Sequence, residues 1–497
     1  MSGANVQVRS AIIRGAEAIP ITIEVSVTGG LPGITIVGMP DAMVLEARQR
    51  VRCAIKAADY TLPRCNVTVN LAPSELRKTG TGLDLAILTA VLVATRQVPS
   101  AGLADCMLVG ELGLDGSVCP VRGLIAFATY AREHNLELVC QALSLPPELK
   151  GTCRQIDSIM QLRRGVADLP TPLLVSGTPL QIGHVPSELD FADVADQELA
   201  KRALVVAAAG NHGVLMVGPP GSGKTMLARR LPSILPPMDD GERLQSMILR
   251  SVAGVDCDDV AHGIRPFRSP HHSISVAGLI GGGRPVIPGE ISLAHGGVLF
   301  LDEFPEFANN ALQALRQPLE EHEVRIVRVD GVYTFPCSFM LVAAANPCPC
   351  GHLGDPAKTC SCSEGAVARY QAKLAGPLVD RIDLLIHVGR PQSDLVVRGG
   401  GGMSSADMGQ MVQDARSFRQ ERRRERPVDA HDPIESASYE PKALRALETL
   451  GNRLALGGRA LVRVGRIART IADVSAHDLV QETDVIEACG YRTQSKL

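Results

Sequence analysis

Residues 213–231 read "GVLMVGPPGSGKTMLARRL". An apolar run, a glycine-rich turn and a helix-forming stretch follow one another without interruption. Within it Gly218, Pro219, Pro220, Gly221, Ser222, Gly223, Lys224 and Thr225 fit the spacing G-x-x-x-x-G-K-[ST], and Met226 continues into the helix. The composition has a chemical reason. Glycines let backbone N–H groups close around phosphate oxygens, and the helix N-terminus adds a favourable dipole. Lys224 is expected to neutralise the β- and γ-phosphates, and the Thr225 hydroxyl to ligate Mg²⁺. A tight glycine turn with an incidental lysine is the plain alternative, and the strand before and helix after argue against it.

Three more segments extend this site. "GGVLFLDEFPEF" (296–307) is a buried parallel strand whose carboxyl end carries Asp302 and Glu303. Asp302 is expected to hold Mg²⁺ through water, and Glu303 to polarise the attacking water as a general base. A mere helix-capping pair is the simpler reading. "SFMLVAAANP" (338–347) ends at Asn346, an amide placed to bridge the attacking water and the γ-phosphate, or else only an Asn-Pro turn. "GPLVDRIDLLIHV" (376–388) sets Arg381 just before another strand. From there it could stabilise transition-state charge in a neighbouring subunit, unless it only pairs with Asp380 or Asp383 on the surface.

Composition bounds the rest. At 497 residues the chain predicts about two to four domains. A net charge of −3 with 45% hydrophobic residues fits a soluble globular protein, and any basic surface must be local. Aromatics are 3% and Trp is absent, which speaks against base-stacking platforms. The first residues show no apolar stretch behind a basic start, and the apolar run 86–94 is too short to span a bilayer. Thirteen cysteines, an odd number without a visible signal, suit a reducing cytoplasm.

Four segments follow from patterning. Residues 1–165 alternate β-branched runs with helical patterns such as "DAMVLEARQRVRCAIKAA", an α/β domain; 166–190 carry Pro and Gly without period and predict a linker. Residues 191–392 hold the phosphate loop and its strands, and 393–497 predict a helical lid. "MVQDARSFRQERRRER" (411–426) carries six arginines, a candidate DNA-phosphate surface, although a solvated helix face laced with i,i+4 pairs is favoured.

The chain resembles the YifB/ComM family of magnesium-chelatase-like AAA+ ATPases of the helix-2-insert clade. The resemblance rests on "GLPGITIVGMPD", "RKTGTGLDLAI", "GPPGSGKT", "FRSPHHSISVAGLIGGG", "PGEISLAHGGVLFLDEFPEF", "QPLEEHEVRI", "NPCPCG", "GPLVDRIDL" and "RIARTIAD". It implies a ring, a hexamer, with ATP and Mg²⁺ between subunits. It also implies Asn346 as sensor 1, Arg381 as arginine finger and Arg459 as sensor 2 candidate. Around Arg459 the chain reads "LALGGRALVRV", where relatives usually have Ser-Ala-Arg followed by aromatics, and Arg463 and Arg466 share its helical face. The same resemblance marks 267–292 as the insert, or else a packed structural loop, and "EVRIVRVDGVYTFP" (323–336), a hairpin turning at Asp330-Gly331, as a second pore element, or else a plain sheet-edge hairpin. His271 and His272, on an extended strand, would point to opposite faces and make no metal pair.

"GELGLDGSVCPVRGL" (110–124) resembles the proteolytic domain of Lon, with its ribosomal S5 domain 2-like fold, and the similar domain of RadA. Gly82 stands at the nucleophile position and Ile125 at that of the activating lysine. A nucleophile needs both an oxygen or sulfur atom and a base, so proteolysis is disfavoured. Finally, Cys348, Cys350, Cys360 and Cys362 form C-x-C-x9-C-x-C, candidate ligands of a structural Zn²⁺, with His352 a possible substitute. The leading expectation is an ATP-driven motor on single-stranded or branched DNA, similar to the branch-migration helicase of natural transformation. A chelatase-like subunit remodelling protein partners is the alternative.

Overall fold

The structure, a computed structural model, describes residues 6–141, 145–172, 189–355, 357–374, 378–398, 402–425 and 432–493. The phosphate-loop strand Val214–Val217 is entirely buried and sits second from the edge of a five-stranded sheet. Its neighbours are Met340–Ala345 on one side and Leu384–His387 on the other, both parallel to it. Val298–Leu301 and then Phe267–Arg268 complete the sheet, again in parallel. Short runs buried on both faces are what a sheet covered by helices requires.

One face packs the helix Glu198–Gly210 and the helices Ser405–Glu425 and Gly458–Val474, with Leu204, Val206, Met216, Val342, Ile467 and Ile471 in one core. The other face packs Leu215, Leu299, Leu341, Phe304 and Phe307. Two more helices, Pro441–Arg453 and Glu482–Thr493, close the helical end.

The amino-terminal body holds a seven-stranded mixed sheet, in the order Gly33–Val37, Asn66–Ala72, Glu17–Thr28, Val6–Arg14, Cys106–Leu108, Glu137–Cys140, Cys153–Gln155. Beneath it the helix Asp84–Ala94 is buried at every position, so "DLAILTAVLVA" shows no polar face. Its one carboxylate, Asp84, is held by Arg50 Nε at 2.5 Å. Val166 and Leu169 are buried in this core, so the chain leaves the body a few residues later than the expected linker start. The expected linker residues 173–188 lie outside the described residues.

Two sequence expectations differ from the structure here. The hairpin Glu323–Arg328 with Gly331–Pro336 pairs Arg328 with Gly331, so Val329 and Asp330 make the turn. Its second strand is bound to the amino-terminal body: Ala16 N–H donates to the Thr334 carbonyl at 3.1 Å, and Arg14 donates to the Asp330 carbonyl and lies over the Tyr333 ring. The arginine-rich helix is not only a solvated face. Arg422 is buried and reaches Asp473 (3.2 Å) and Glu435 (2.8 Å) on other segments, because the helix packs its flank against the lid. Arg426 lies outside the described residues.

Candidate nucleotide-binding site

Sheet order brings the carboxyl ends of three strands side by side. Gly223 ends the loop with φ +92°, a left-handed backbone that glycine adopts without cost, and the helix Lys224–Arg230 starts immediately after it. Lys224 is buried, and its Nζ donates to the Gly218 carbonyl (2.7 Å), the Pro219 carbonyl (3.0 Å) and Asn346 Oδ1 (3.2 Å). Burial pulls its pKa down, against the opposing charge of Asp302. The ammonium thus lies folded onto its own loop, held by neutral oxygens that phosphate oxygens would outcompete.

The Thr225 hydroxyl donates to Asp302 Oδ2 at 2.8 Å. These are two hard oxygens at one point, the donor set Mg²⁺ takes alongside phosphate and water. Glu303 follows in a left-handed conformation, φ +51°, with its N–H bonded to Asp302 Oδ1 at 2.9 Å. Its carboxylate meets His272, whose Nδ1 sits 3.2 Å from Oε2. The expectation of an extended strand at 271–272 fails: the chain turns there, and the two rings lie 4.1 Å apart on one side. The Ser269-Pro270 dipeptide ahead of them was the available signal for that turn. Met226 sits partly exposed just beyond the loop.

The structure does not bring Arg381 and Arg459 to this chain's own phosphate loop. Both line a cavity of about 650 Å³ with Glu320, Asp380, Arg463 and Arg492, and no phosphate-loop residue shares it. Arg381 Nε donates to Glu320 Oε1 at 2.9 Å, a carboxylate its own segment does not contain. Arg463 points to Asp383 (3.6 Å), while Arg466 donates to the Pro433 carbonyl (3.2 Å) and lines a different cavity. The three arginines that shared one expected helical face therefore serve different neighbours.

Known families match this arrangement along the chain. The model described as magnesium chelatase, subunit ChlI, covers residues 190–395; subunit ChlI of Mg-chelatase covers 23–142; and the ChlI C-terminal model covers 402–492. An uncharacterized protein YifB of Salmonella typhimurium is 37% identical over 100% of this chain and 98% of its own length. The competence protein ComM of Haemophilus influenzae is 38% identical over 97% of this chain and 96% of its own. The chain belongs to the magnesium-chelatase-like family of YifB and ComM. A magnesium-chelatase 67 kDa subunit of Chlorobaculum parvum is more distant, 29% identical over 32% of this chain and 23% of its own. Membership of this AAA+ family implies ATP and Mg²⁺ as ligands.

In this YifB/ComM-type chain the segment after Asn346 forms a compact knuckle. The Sγ atoms of Cys348, Cys350, Cys360 and Cys362 all lie within 4.8 Å of one another. Cys348 is 3.4 Å from Cys350 and 3.7 Å from Cys360, and Cys350 is 3.6 Å from Cys360. Zn–S bonds of about 2.3 Å in a tetrahedron put sulfurs about 3.8 Å apart, so the four fit a structural zinc. Backbone N–H groups of His352 and Ser361 favour the Cys350 thiolate, lowering its pKa to about 5. His352 turns instead to Asp355 (3.2 Å), which also holds Arg390 (2.8 Å). The knuckle touches the nucleotide site directly: a Cβ on Gly351 would lie 2.5 Å from Pro220 Cδ and 3.8 Å from Asn346 Cγ.

At the Lon-type positions, Gly82 carries no side chain and Ile125 is buried among apolar neighbours. The nearby Thr81 hydroxyl donates to Glu111 Oε2 at 2.6 Å, an acid rather than a lysine. Among the described residues no helix is long and apolar enough to cross a membrane.

Proposed function

We propose that this chain is an ATP-hydrolysing ring motor, a hexamer that drives branch migration or strand translocation on DNA in the cytoplasm. The observation that carries the ATPase reading is the convergence of Lys224, Thr225, Asp302, Glu303 and Asn346 at adjacent strand ends. In it the loop N–H groups and Lys224 would bind the phosphates, Thr225 and Asp302 would hold Mg²⁺, Glu303 would accept the proton of the attacking water, and Asn346 would orient that water. Mg²⁺ held there would supply charge neutralisation for the phosphates. Met226 and the residues Gly218 to Gly223 complete the nucleotide cradle.

Arg381 and Arg459 act on the neighbouring subunit's ATP. Their shared cavity, free of phosphate-loop residues, supports a role in trans. The relative named for competence supports DNA as the track. Zn²⁺ in the cysteine knuckle would brace the loop that leaves Asn346, and no step of hydrolysis needs it.

The test is ATPase activity of purified protein with and without single-stranded and branched DNA, beside Glu303→Gln. Glu303→Gln should lose about 10²-fold or more in kcat while still binding ATP. If no DNA form binds or stimulates, the motor-on-DNA reading fails and the alternative stands, a chelatase-like subunit remodelling protein partners. Elemental analysis of protein purified without chelator should find one zinc per chain, and its absence would overturn the zinc assignment.

A further inference from the structure

The helical end of the molecule holds a cavity of about 370 Å³, and none of the residues lining it belongs to the nucleotide site. Five guanidiniums face it. Arg419, Arg422 and Arg423 come from the helix Ser405–Glu425, and Arg466 and Arg469 from the helix Gly458–Val474. Three carboxylates share the wall: Asp432, Glu435 and Asp473. Gly210 and His212, on the floor, lie just ahead of the strand Val214–Val217. The cavity is therefore at the opposite end of that strand from the phosphate loop.

The carboxylates are already occupied. Asp473 accepts from Arg422 Nε (3.2 Å) and Arg469 Nη2 (2.9 Å), and Glu435 from Arg422 Nη1 and Arg423 Nη2, both at 2.8 Å. Asp432 turns to its own loop, where the Ser436 N–H and hydroxyl donate to it at 2.5 and 2.6 Å. Two arginines are left over. Arg466 gives Nε to the Pro433 carbonyl at 3.2 Å and has no carboxylate partner among the described residues. Arg419 makes neither a hydrogen bond nor an ion pair among them.

Arg419 is nevertheless only partly exposed. A guanidinium withdrawn from water without an anion is costly. Burial, and then the like charge of Arg423, pull its pKa down. An anion in the cavity would offset both effects.

Shape narrows the class of anion. The volume lies near the lower end of small-molecule sites, which run from about 300 to 1,000 Å³. A DNA backbone calls for cations strung along a track, one charge per about 3.4 Å of strand. Here they converge from two helices on one recess. The Thr470 hydroxyl on the same wall is committed to the Arg466 carbonyl at 3.0 Å. Recognition thus falls to the planar N–H edges of Arg419 and Arg466, which suit phosphate oxygens.

We infer that this cavity is a second anion site, which binds a phosphate-bearing ligand of about diphosphate size through Arg419 and Arg466. A ligand held there ties the two lid helices to each other beside the helix Glu198–Gly210.

The probe is inorganic pyrophosphate, titrated by calorimetry without Mg²⁺ into the full chain carrying Lys224→Ala, which disables the phosphate loop. One site per chain with a Kd below about 1 mM is expected. Adding Arg419→Gln should weaken binding by about tenfold, and adding Arg466→Gln as well by about 10²-fold. Neither arginine has a carboxylate partner, so the Tm without ligand should stay within about 2 °C. Arg424→Gln, exposed on the same helix and outside the cavity, removes the same charge and should bind as before. A single-stranded oligonucleotide as competitor identifies the source of the phosphate. Displacement assigns it to a DNA backbone and no displacement to a free oligophosphate, and either result upholds the site. The inference is overturned if no binding is seen up to about 10 mM pyrophosphate. It is overturned equally if Arg419→Gln loses no more affinity than Arg424→Gln. ATP binding by the Lys224→Ala chain is measured alongside, and its persistence would strike the reading of the phosphate loop without touching this cavity.

Discussion

Replacing Gly351 by Ala should weaken nucleotide binding although Gly351 lies outside the phosphate loop. Two costs combine. Gly351 has φ +79°, where a Cβ costs about 1 kcal/mol. The new methyl would also lie 2.5 Å from Pro220 Cδ and 2.6 Å from Cγ, whereas carbon atoms rest about 3.5–4.0 Å apart. Relief requires the knuckle and the phosphate loop to part by about 1 Å, and misplacement on that scale costs up to about 10²-fold in function. We expect the Kd for a fluorescent ATP analogue to rise about tenfold. Gly354→Ala is the control. Its φ is +74°, so the backbone cost is the same, but nothing lies within 4 Å of the added carbon. Both variants should lose about 1 °C of Tm from the backbone cost, as about 1 kcal/mol predicts for a chain of this size. Only Gly351→Ala should lose nucleotide affinity. Equal affinities in the two variants would refute the idea that the knuckle braces the phosphate loop.

Arg381→Ala should retain ATP binding and lose about 10³-fold in kcat, and mixing it with Lys224→Ala chains should restore part of the activity if the arginine serves a neighbour. Activity that returns in neither mixing ratio counts against the trans site. Asp383 sits between His212 (3.3 Å), Gly213 N–H (3.2 Å) and Arg463 (3.6 Å). Burial alone would raise its pKa, but these partners outweigh burial and hold it below the ordinary 3.8. With the folded pKa depressed, its stabilisation is complete above the unfolded value and drains as pH falls through the folded one. Chemical denaturation of the wild-type protein should therefore lose stability below about pH 4 more steeply than Asp383→Asn. Asp473→Ala leaves buried Arg422 with Glu435 alone and buried Arg469 with backbone carbonyls only, and should destabilise the lid by about 2–3 kcal/mol in denaturant melts. A loss under 1 kcal/mol would mean the lid relaxes enough to hydrate them.

Much of the candidate nucleotide site was legible because its parts are local. Residues 218–225 are contiguous, and their spacing encodes a turn and a helix start whatever surrounds them. Asp302, Glu303 and Asn346 stand at the ends of apolar runs, and runs of that kind become buried strands with functional carboxyl ends. The His272–Glu303 pair was not legible. The histidine doublet was read with strand geometry, and a turn places both rings on one side. The hairpin turn slipped one residue for a related reason: Asp-Gly is the stronger local signal, but the register was set by docking of the second strand on the amino-terminal body.

By itself the sequence determined which residues carry the chemistry expected of ligands for phosphate, Mg²⁺ and zinc, since that chemistry resides in side chains and short spacing. Tertiary structure decided which of them meet. The strand order put Asn346 Oδ1 3.2 Å from Lys224 Nζ, the return of the insert set His272 on Glu303, and the knuckle came to rest on Pro220. It also sent Arg381 and Arg459 to a cavity of their own. Such contacts depend on how separate strands and loops pack against one another, and no local preference of the chain encodes that.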